Sequence, residues 1–471
     1  MTEETATPAA AATRAPATPD PAPSLGAFDV GCVVIGGIIG VGIFFTPAKV
    51  AQRVDNAELV ITAWAIGGVL AVLGALVFAE LSTLVPGHGG IFRYIHAAFG
   101  RWPAFLYGWA NWLVIQSGAL GVVALILVSN LDVLLFGEPR LSPDVQVGIA
   151  AAAMLLFTAT NVIGLQVGKR VQNLLTVLKV LALLFLVVLS WCTAARPAEA
   201  PPPPMGKGVA AQLSGALLPV LFAIGGWQQG SFLAGAVRRP LRNLPLGILG
   251  GVAVVIVTYI TVNLAYLDLL GFEAARRSGA IGTDAARAGL GEAGGRVLAG
   301  MVVISAAGIM NTICMAPPYV LLAMAREGLF PAAFGRLHAR FGTPLLGVLG
   351  QGLWAIALLF GVHLFARASA KTTDTLGFVC DSVVFVDWIF FALCGAALLR
   401  LRRGHGSGTF RVPGGGFVAA LFAAGALGVT IGAFVAEDQR QASLTGVAIV
   451  AVGILVYASC MRGRAVPGSR G

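Results

Sequence analysis

Charge is what this 471-residue chain has least of: Asp, Glu, Lys and Arg together make 11% of it, against 57% hydrophobic residues and a mean hydropathy of +0.87. Ordinary soluble domains carry about 25% charged residues, so a water-exposed globule of this size is excluded at the outset. Cys32, Cys192, Cys314, Cys380, Cys394 and Cys460 fall in or beside apolar stretches, with no CxxC spacing and no histidine partner. They read as small buried hydrophobes, so neither a disulfide framework nor a zinc or other metal site is expected. HExxH, GxSxG, clustered histidines and a basic patch with interleaved aromatics are all missing. Those absences argue against an enzyme and against nucleic acid as a partner, and no cofactor is expected.

What the chain does have is apolar length. Segments near residues 28–50, 58–84, 103–136, 147–166, 171–194, 211–236, 244–270, 298–324, 345–365, 373–399, 413–435 and 443–460 each approach or exceed the ~20 residues that cross a bilayer. In lipid each segment must satisfy its own backbone amides, which makes these twelve predicted crossings helices. The short alternating strands of a β-barrel do not occur. Residues 1–24 are mostly Ala, Pro and Thr with Glu3, Glu4 and Asp20, which is not the basic start and apolar centre of a signal peptide. They are expected to form a disordered cytoplasmic tail. The Pro201–Pro204 run marks the loop before the sixth segment, and longer polar loops are expected at about 271–297 and 400–412. An even number of crossings puts both termini on one side. The loops after even-numbered segments, with Lys169, Arg170, Arg238, Arg239 and Arg400 among them, are richer in Arg and Lys, so that side is expected to be the cytoplasm. The net charge of +10 then faces anionic membrane lipid.

The first segment, VIGGIIGVGIFFTP, packs Gly36, Gly37, Gly40 and Gly42 ahead of Pro47. Each glycine costs a helix about 1 kcal/mol relative to alanine. Such a cluster lets a neighbouring helix approach closely, or lets this helix unwind, and on this segment alone both readings stand. The sixth segment repeats the feature with Gly225 and Gly226 in LFAIGGWQQGSFLAG. Glycine breaks at corresponding positions of two chain halves point to a transporter's binding site. Unwinding frees amides at the start of one half-helix and carbonyls at the end of the other, a pairing that suits the carboxylate and ammonium of an α-amino acid.

At these residues the chain resembles the amino acid/polyamine/organocation superfamily, and within it the L-type amino acid transporter branch. Gly40-Val41-Gly42-Ile43-Phe44 is similar to that family's first-helix G-S-G-I-F, and Phe222-Ala223-Ile224-Gly225-Gly226-Trp227 to its sixth-helix F-A-Y-G-G-W. AELSTLVPGHGGIFRYIHAAFG (79–100), FLYGWANW (105–112), VRRPLRNLP (237–245), AMAREGLFP (323–331), RFGTP (340–344) and VDWIFFAL (386–393) extend the likeness over roughly 27–460. The resemblance implies an all-α polytopic membrane protein: twelve transmembrane helices in a 5+5 inverted repeat with discontinuous helices 1 and 6, plus two C-terminal helices. The boundaries would be 25–194 and 211–402 for the repeats, 411–460 for the added pair and 461–471 for a cytoplasmic tail. It implies that the amides of Gly40, Val41 and Gly42 hold the substrate carboxylate and that carbonyls near Ile38, Phe222 and Ala223 hold its ammonium. Gly225, Gly226 and Gln228 complete that substrate site, and Phe222 would be its occluding gate.

Lys179 lies nine residues past Arg170 in VQNLLTVLKVLALLF, about 13 Å into the fifth helix. A charge at that depth costs at least ~2.5 kcal/mol on insertion scales, so it should face the bundle and have a partner. It is a structural lysine, or its ammonium stands where related transporters bind sodium, between the first and eighth helices, and serves as the coupling residue. Of the intramembrane acids, Glu80, Asp268 and Asp387 read as interfacial or paired, and Asp381 in CDSVVF as the one that could line the pathway. Asn311 and Thr312 could offer polar contacts near Lys179. Val41, Ile224, Gln228, Ala236 and Tyr319 depart from the family pattern, which has serine, tyrosine, asparagine, an acid and arginine there. With GALGVVALI (118–126), Val41 and Ile224 suggest a pocket without fixed countercharge and hence a neutral side chain on the substrate.

Three functions follow: a sodium-independent exchanger or facilitator of amino acids working by alternating access, a proton-coupled symporter of amino acids or polyamines, and a non-transporting membrane sensor or enzyme. The first is the reading the residues favour. Relatives in mammals join a heavy chain through a disulfide after the third helix; residues 132–146 hold no cysteine, so no such partner is expected.

Overall fold

The computed structural model describes residues 20–193, 206, 208–369, 375–404, 410–435 and 440–460. Among them the only extended pairing is a single bridge between Leu25 and Val237, and everything else is helix or connection. The expected Pro201–Pro204 loop and the tails 1–19 and 461–471 lie outside the described residues.

The first expected crossing is not one helix. α1 (Ala27–Ile38) stops in the glycine cluster, a single 3-10 turn over Gly42–Phe44 follows, and α2 (Thr46–Ala51) resumes with Pro47 in its first turn. α3 (Ala57–Leu84) crosses unbroken, capped at its start by the Asn56 side chain on the Leu59 amide. The short α4 (Ile91–Phe99) buries Ile91, Phe92, Tyr94, Ile95 and Ala98, the stripe of an amphipathic helix lying against the bundle. α5 (Arg101–Ala110) runs through a π-helical stretch at Asn111–Gln116 into α6 (Ser117–Phe136).

α7 (Pro143–Ile163) and α8 (Leu165–Cys192) are separated only by Gly164 at φ 154°. Lys169 and Arg170, expected in a loop, are therefore on α8, where Lys169 Nζ pairs with Asp29 at 3.3 Å. The sixth crossing breaks as the first does: α9 (Val209–Ile224) ends at Gly225, and α10 (Gln229–Phe232) restarts after Trp227 and Gln228. α11 (Pro240–Leu270) is continuous. The stretch expected as a polar loop at 271–297 is instead largely helical, with α12 (Phe272–Arg277), α13 (Ile281–Leu290) and the start of α14 (Ala293–Met315). Ile281, Ala285 and Ala286 are its buried side, and Gly282 sits against Leu298 and the Phe44 carbonyl, so α13 packs on the second half of the first crossing. α15 (Pro318–Arg326), α16 (Leu345–Ser369), α17 (Thr375–Gly404), α18 (Gly416–Val435) and α19 (Arg440–Cys460) complete the chain.

Among the described residues, eleven helical spans are long and apolar enough to cross a membrane, and the broken α1–α2 pair falls on the remaining segment read from the sequence. Their outer faces are apolar and exposed. On α8, Leu174, Val177, Leu181, Phe185 and Val188 face outward, whereas Gly168, Gln172, Thr176, Lys179 and Leu183 line the buried stripe. That reversed amphipathicity belongs to a helix solvated by lipid outside and by protein polar groups inside.

Two ion pairs tie distant parts of the chain together. Glu80, 2% exposed, accepts two hydrogen bonds from Arg402 and one from the Val412 amide at 2.7 Å, which ties α3 to the end of α17. At the N-terminal side Arg326 donates to both carboxylate oxygens of Asp20, at 2.9 and 2.7 Å, and holds that carboxyl below the ordinary carboxylate range.

Candidate functional site

The two helix breaks meet. Gly226, at φ 127°, lies so close to α1 that a Cβ on it would come 2.4 Å from the Gly37 carbonyl oxygen and 3.0 Å from the Ile38 amide nitrogen. The other glycines of the first cluster have separate tasks. A Cβ on Gly36 would overlap Gln172 of α8, and one on Gly40 would come 2.6 Å from Ile309 of α14. Close packing and unwinding, the two readings left open for this cluster, thus both occur: Gly36 admits a neighbour, and the helix ends two residues after Gly36.

Ending a helix in an apolar bundle exposes its last carbonyls, each of which needs a donor. The Ile35 carbonyl takes the Ile39 amide at 2.7 Å. Lys179, 1% exposed near the middle of α8, donates to the carbonyls of Gly36 (3.3 Å), Ile39 (2.8 Å) and, across on α14, Ser305 (3.2 Å). All three ammonium protons are used on main-chain oxygens, at the negative end of the α1 dipole, and none of the three acceptors is a carboxylate. Gly308 makes the room, since a Cβ there would stand 2.7 Å from Lys179 Nζ. Lys179 Nζ thus lies between the first and eighth crossings.

Asn311 and Thr312 do not reach it. Asn311 donates to Gln172 Oε1 (2.8 Å) and to the Gly168 carbonyl, and accepts from Asn161. Gln172 and Thr176 then donate to the Cys32 carbonyl, so this polar column fastens α8 and α14 to the middle of α1. Thr312 donates to the Gly308 carbonyl of its own helix and stands on a cavity wall.

Two further carbonyls, one at each break, are reached by a residue that the sequence reading did not single out. Tyr259, buried on α11, points its hydroxyl at the Ile38 carbonyl (3.0 Å) and at the Ala223 carbonyl (3.3 Å), one from each broken helix. One hydroxyl proton serves one acceptor at a time, so the other carbonyl is left for a different donor. The signal was a hydroxyl at membrane depth in VVIVTYITV. Removing it should cost about one buried hydrogen bond. Tyr259→Phe is expected to slow transport about tenfold, while the detergent-solubilised protein keeps a melting transition close to wild type. Unchanged initial uptake rates in the variant would remove Tyr259 from the site.

Between the breaks lies a cavity of about 210 Å³. Ile38, Gly40, Val41, Gly42, Phe222, Ala223, Gly225, Gly226 and Gln228, the substrate-site residues expected from the sequence, all lie on its wall. Phe222 stands beside Phe45, ring centroids 6.3 Å apart, and both border the cavity. The π-helical stretch of the third span brings Gln116 into the wall, where it accepts from Gln229 at 3.3 Å. Trp227 points away, packed between Trp388, Phe391 and Phe422 at 5.3 to 6.4 Å.

The pocket expected from Val41, Ile224 and residues 118–126 to lack a fixed countercharge has an ionisable residue on its wall. Asp387 of α17 is on the wall. The sequence reading set it among the interfacial or paired acids and gave the pathway role to Asp381, whose side chain lies outside the described residues.

An all-helical, membrane-spanning protein in which two interrupted helices abut over a solute-sized cavity has the architecture of a multi-pass secondary transporter. The family model that matches residues 25–461 is that of the amino acid permeases, and the chain belongs to that family. It is 28% identical over 376 residues to the serine/threonine exchanger SteT of Bacillus subtilis, covering 79% of this chain and 81% of that one. It is 26% identical over 374 residues to the b(0,+)-type amino acid transporter 1 of Oryctolagus cuniculus (79% and 74%). To the cystine/glutamate transporter of Homo sapiens it is 29% identical over 393 residues (79% and 72%). The protein is thus a multi-pass membrane protein of an amino acid transporter family, and not an enzyme.

Proposed function

We propose that the protein exchanges amino acids across the membrane by alternating access, without sodium. The observation that carries this reading is Lys179: a covalently attached ammonium, donating to Gly36, Ile39 and Ser305, fills the position between the first and eighth crossings where a bound cation would otherwise link the helices. A fixed cation gives no coupling to a sodium gradient, and in this account the driving force comes from a second substrate. The exchanger named among the relatives supports the same reading.

In this account the substrate carboxylate binds at the amides of Gly40, Val41 and Gly42, and its ammonium takes the carbonyls of Phe222 and of whichever of Ile38 and Ala223 the Tyr259 hydroxyl leaves free. Phe222 with Phe45 closes the cavity over it. Residues 25–194 and 211–402 act as the two repeats that rock about this site, with both termini in the cytoplasm. No cysteine occurs in residues 132–146, in keeping with a transporter that works without a disulfide-linked partner.

The test is uptake of labelled amino acids into proteoliposomes, preloaded or empty, with and without sodium and a pH gradient. Uptake that needs internal amino acid and ignores sodium is expected. Concentrative uptake into empty vesicles driven by a pH gradient would replace exchange with proton symport.

A further inference from the structure

Besides the backbone of the helix breaks, the cavity wall carries apolar side chains, among them Ile115, Val122, Val383 and Val384, and one acid, Asp387. Asp387 Oδ1 is buried and has no hydrogen-bond partner among the described residues. The two other unpartnered buried side-chain atoms on this wall, Gln228 Oε1 and Gln229 Oε1, are acceptors as well. No Lys, Arg or His lines the cavity among the described residues, and Lys179 spends its protons on main-chain carbonyls behind the wall. Asp387 is partly open to the cavity, and a buried acceptor without a donor is costly. All three of these atoms are acceptors, so the complementary ligand group is a donor, best a cation.

We propose that Asp387 selects amino acids with a cationic side chain, its carboxylate taking the side-chain cation while the two helix breaks hold the carboxylate and α-ammonium. Lysine has the matching pattern: an apolar stem to lie along Val383 and Val384, and a second ammonium at its end. A neutral aliphatic side chain would leave the acid unpaired, and an acidic one would be repelled by it. This rests on the head-group reading above, and it replaces the neutral substrate expected from the sequence.

The full chain in proteoliposomes preloaded with unlabelled lysine or leucine, at equal pH on both sides, gives the test. Initial uptake of labelled lysine and of leucine is compared for wild type and Asp387→Asn. Wild type is expected to prefer lysine about a hundredfold, and the variant to lower that ratio about a hundredfold, because a site built around a polar partner rejects ligands that leave it unpaired. A lysine-to-leucine ratio that is the same in both proteins overturns the proposal. So does leucine uptake driven by a pH gradient in wild type and abolished in the variant, which would assign a proton to Asp387. If wild type exchanges neither amino acid, the head-group reading fails and the proposal falls with it, an outcome distinct from the first two. Should the variant not fold, the melting temperature of solubilised wild type decides: lysine raises it and leucine does not, and equal shifts overturn the proposal.

Discussion

Gly226→Ala is expected to lower amino acid exchange more than a hundredfold. The added methyl would meet the Gly37 carbonyl oxygen at 2.4 Å, its carbon at 2.6 Å and the Ile38 amide nitrogen at 3.0 Å, all main-chain atoms that no rotamer change can move aside. The residue also holds φ 127°, where an L side chain is strained whatever the space. Relief requires the two breaks to part, and with them the carbonyls of Ile38 and Ala223 that Tyr259 spans. A displacement of 1 Å in a binding constellation is enough for a hundredfold loss. Gly250→Ala is the control: it lies on α11 with nothing within 4 Å of an added Cβ, and uptake is expected to be unchanged. Initial rates normalised to the amount of reconstituted protein measure both. Gly226→Ala with wild-type rates would mean that the close approach of the breaks is dispensable.

Lys179→Ala is expected to be as damaging for a different reason. It removes three hydrogen bonds at once and leaves the Ile39 carbonyl with only Ser305 Oγ, at 3.3 Å, as donor; each buried acceptor left unsatisfied costs about 1–3 kcal/mol. The strut between α1, α8 and α14 then goes, and exchange falls more than a hundredfold. Lys179→Arg does not restore it, because Gly308 leaves room beside the amine for no wider head: a Cβ there would already stand 2.7 Å from Nζ. Counterflow rates with wild-type melting behaviour in the alanine variant would separate lost transport from lost folding. Retention of full exchange would reduce Lys179 to a structural lysine.

Much of this was legible in the sequence, because breaking a helix inside lipid demands residues that stand out there. Gly36–Gly42 and Gly225–Gly226 mark both interruptions, and Lys179 at that depth called for a partner inside the bundle. What the sequence hid is partnership. Tyr259 reads as one more aromatic in an apolar run until the fold sets it between two carbonyl ends 36 and 221 residues away. Glu80, Asp381 and Asp387 are alike as intramembrane acids; only tertiary structure reveals that Arg402 answers Glu80 and that the described residues bring no donor to Asp387 Oδ1. The segment 271–297 looked like a loop because α12 and α13 are short and rich in Ala, Gly and Arg, so their buried stripe is too brief to register as a period.

The most direct test of the central claim is uptake of a labelled amino acid into sodium-free proteoliposomes, with and without unlabelled amino acid inside. The account predicts rapid uptake into loaded vesicles, negligible uptake into empty ones, and no change when sodium is added outside. Uptake into empty vesicles that rises with external sodium would contradict it, because Lys179 could not then be standing in for the ion.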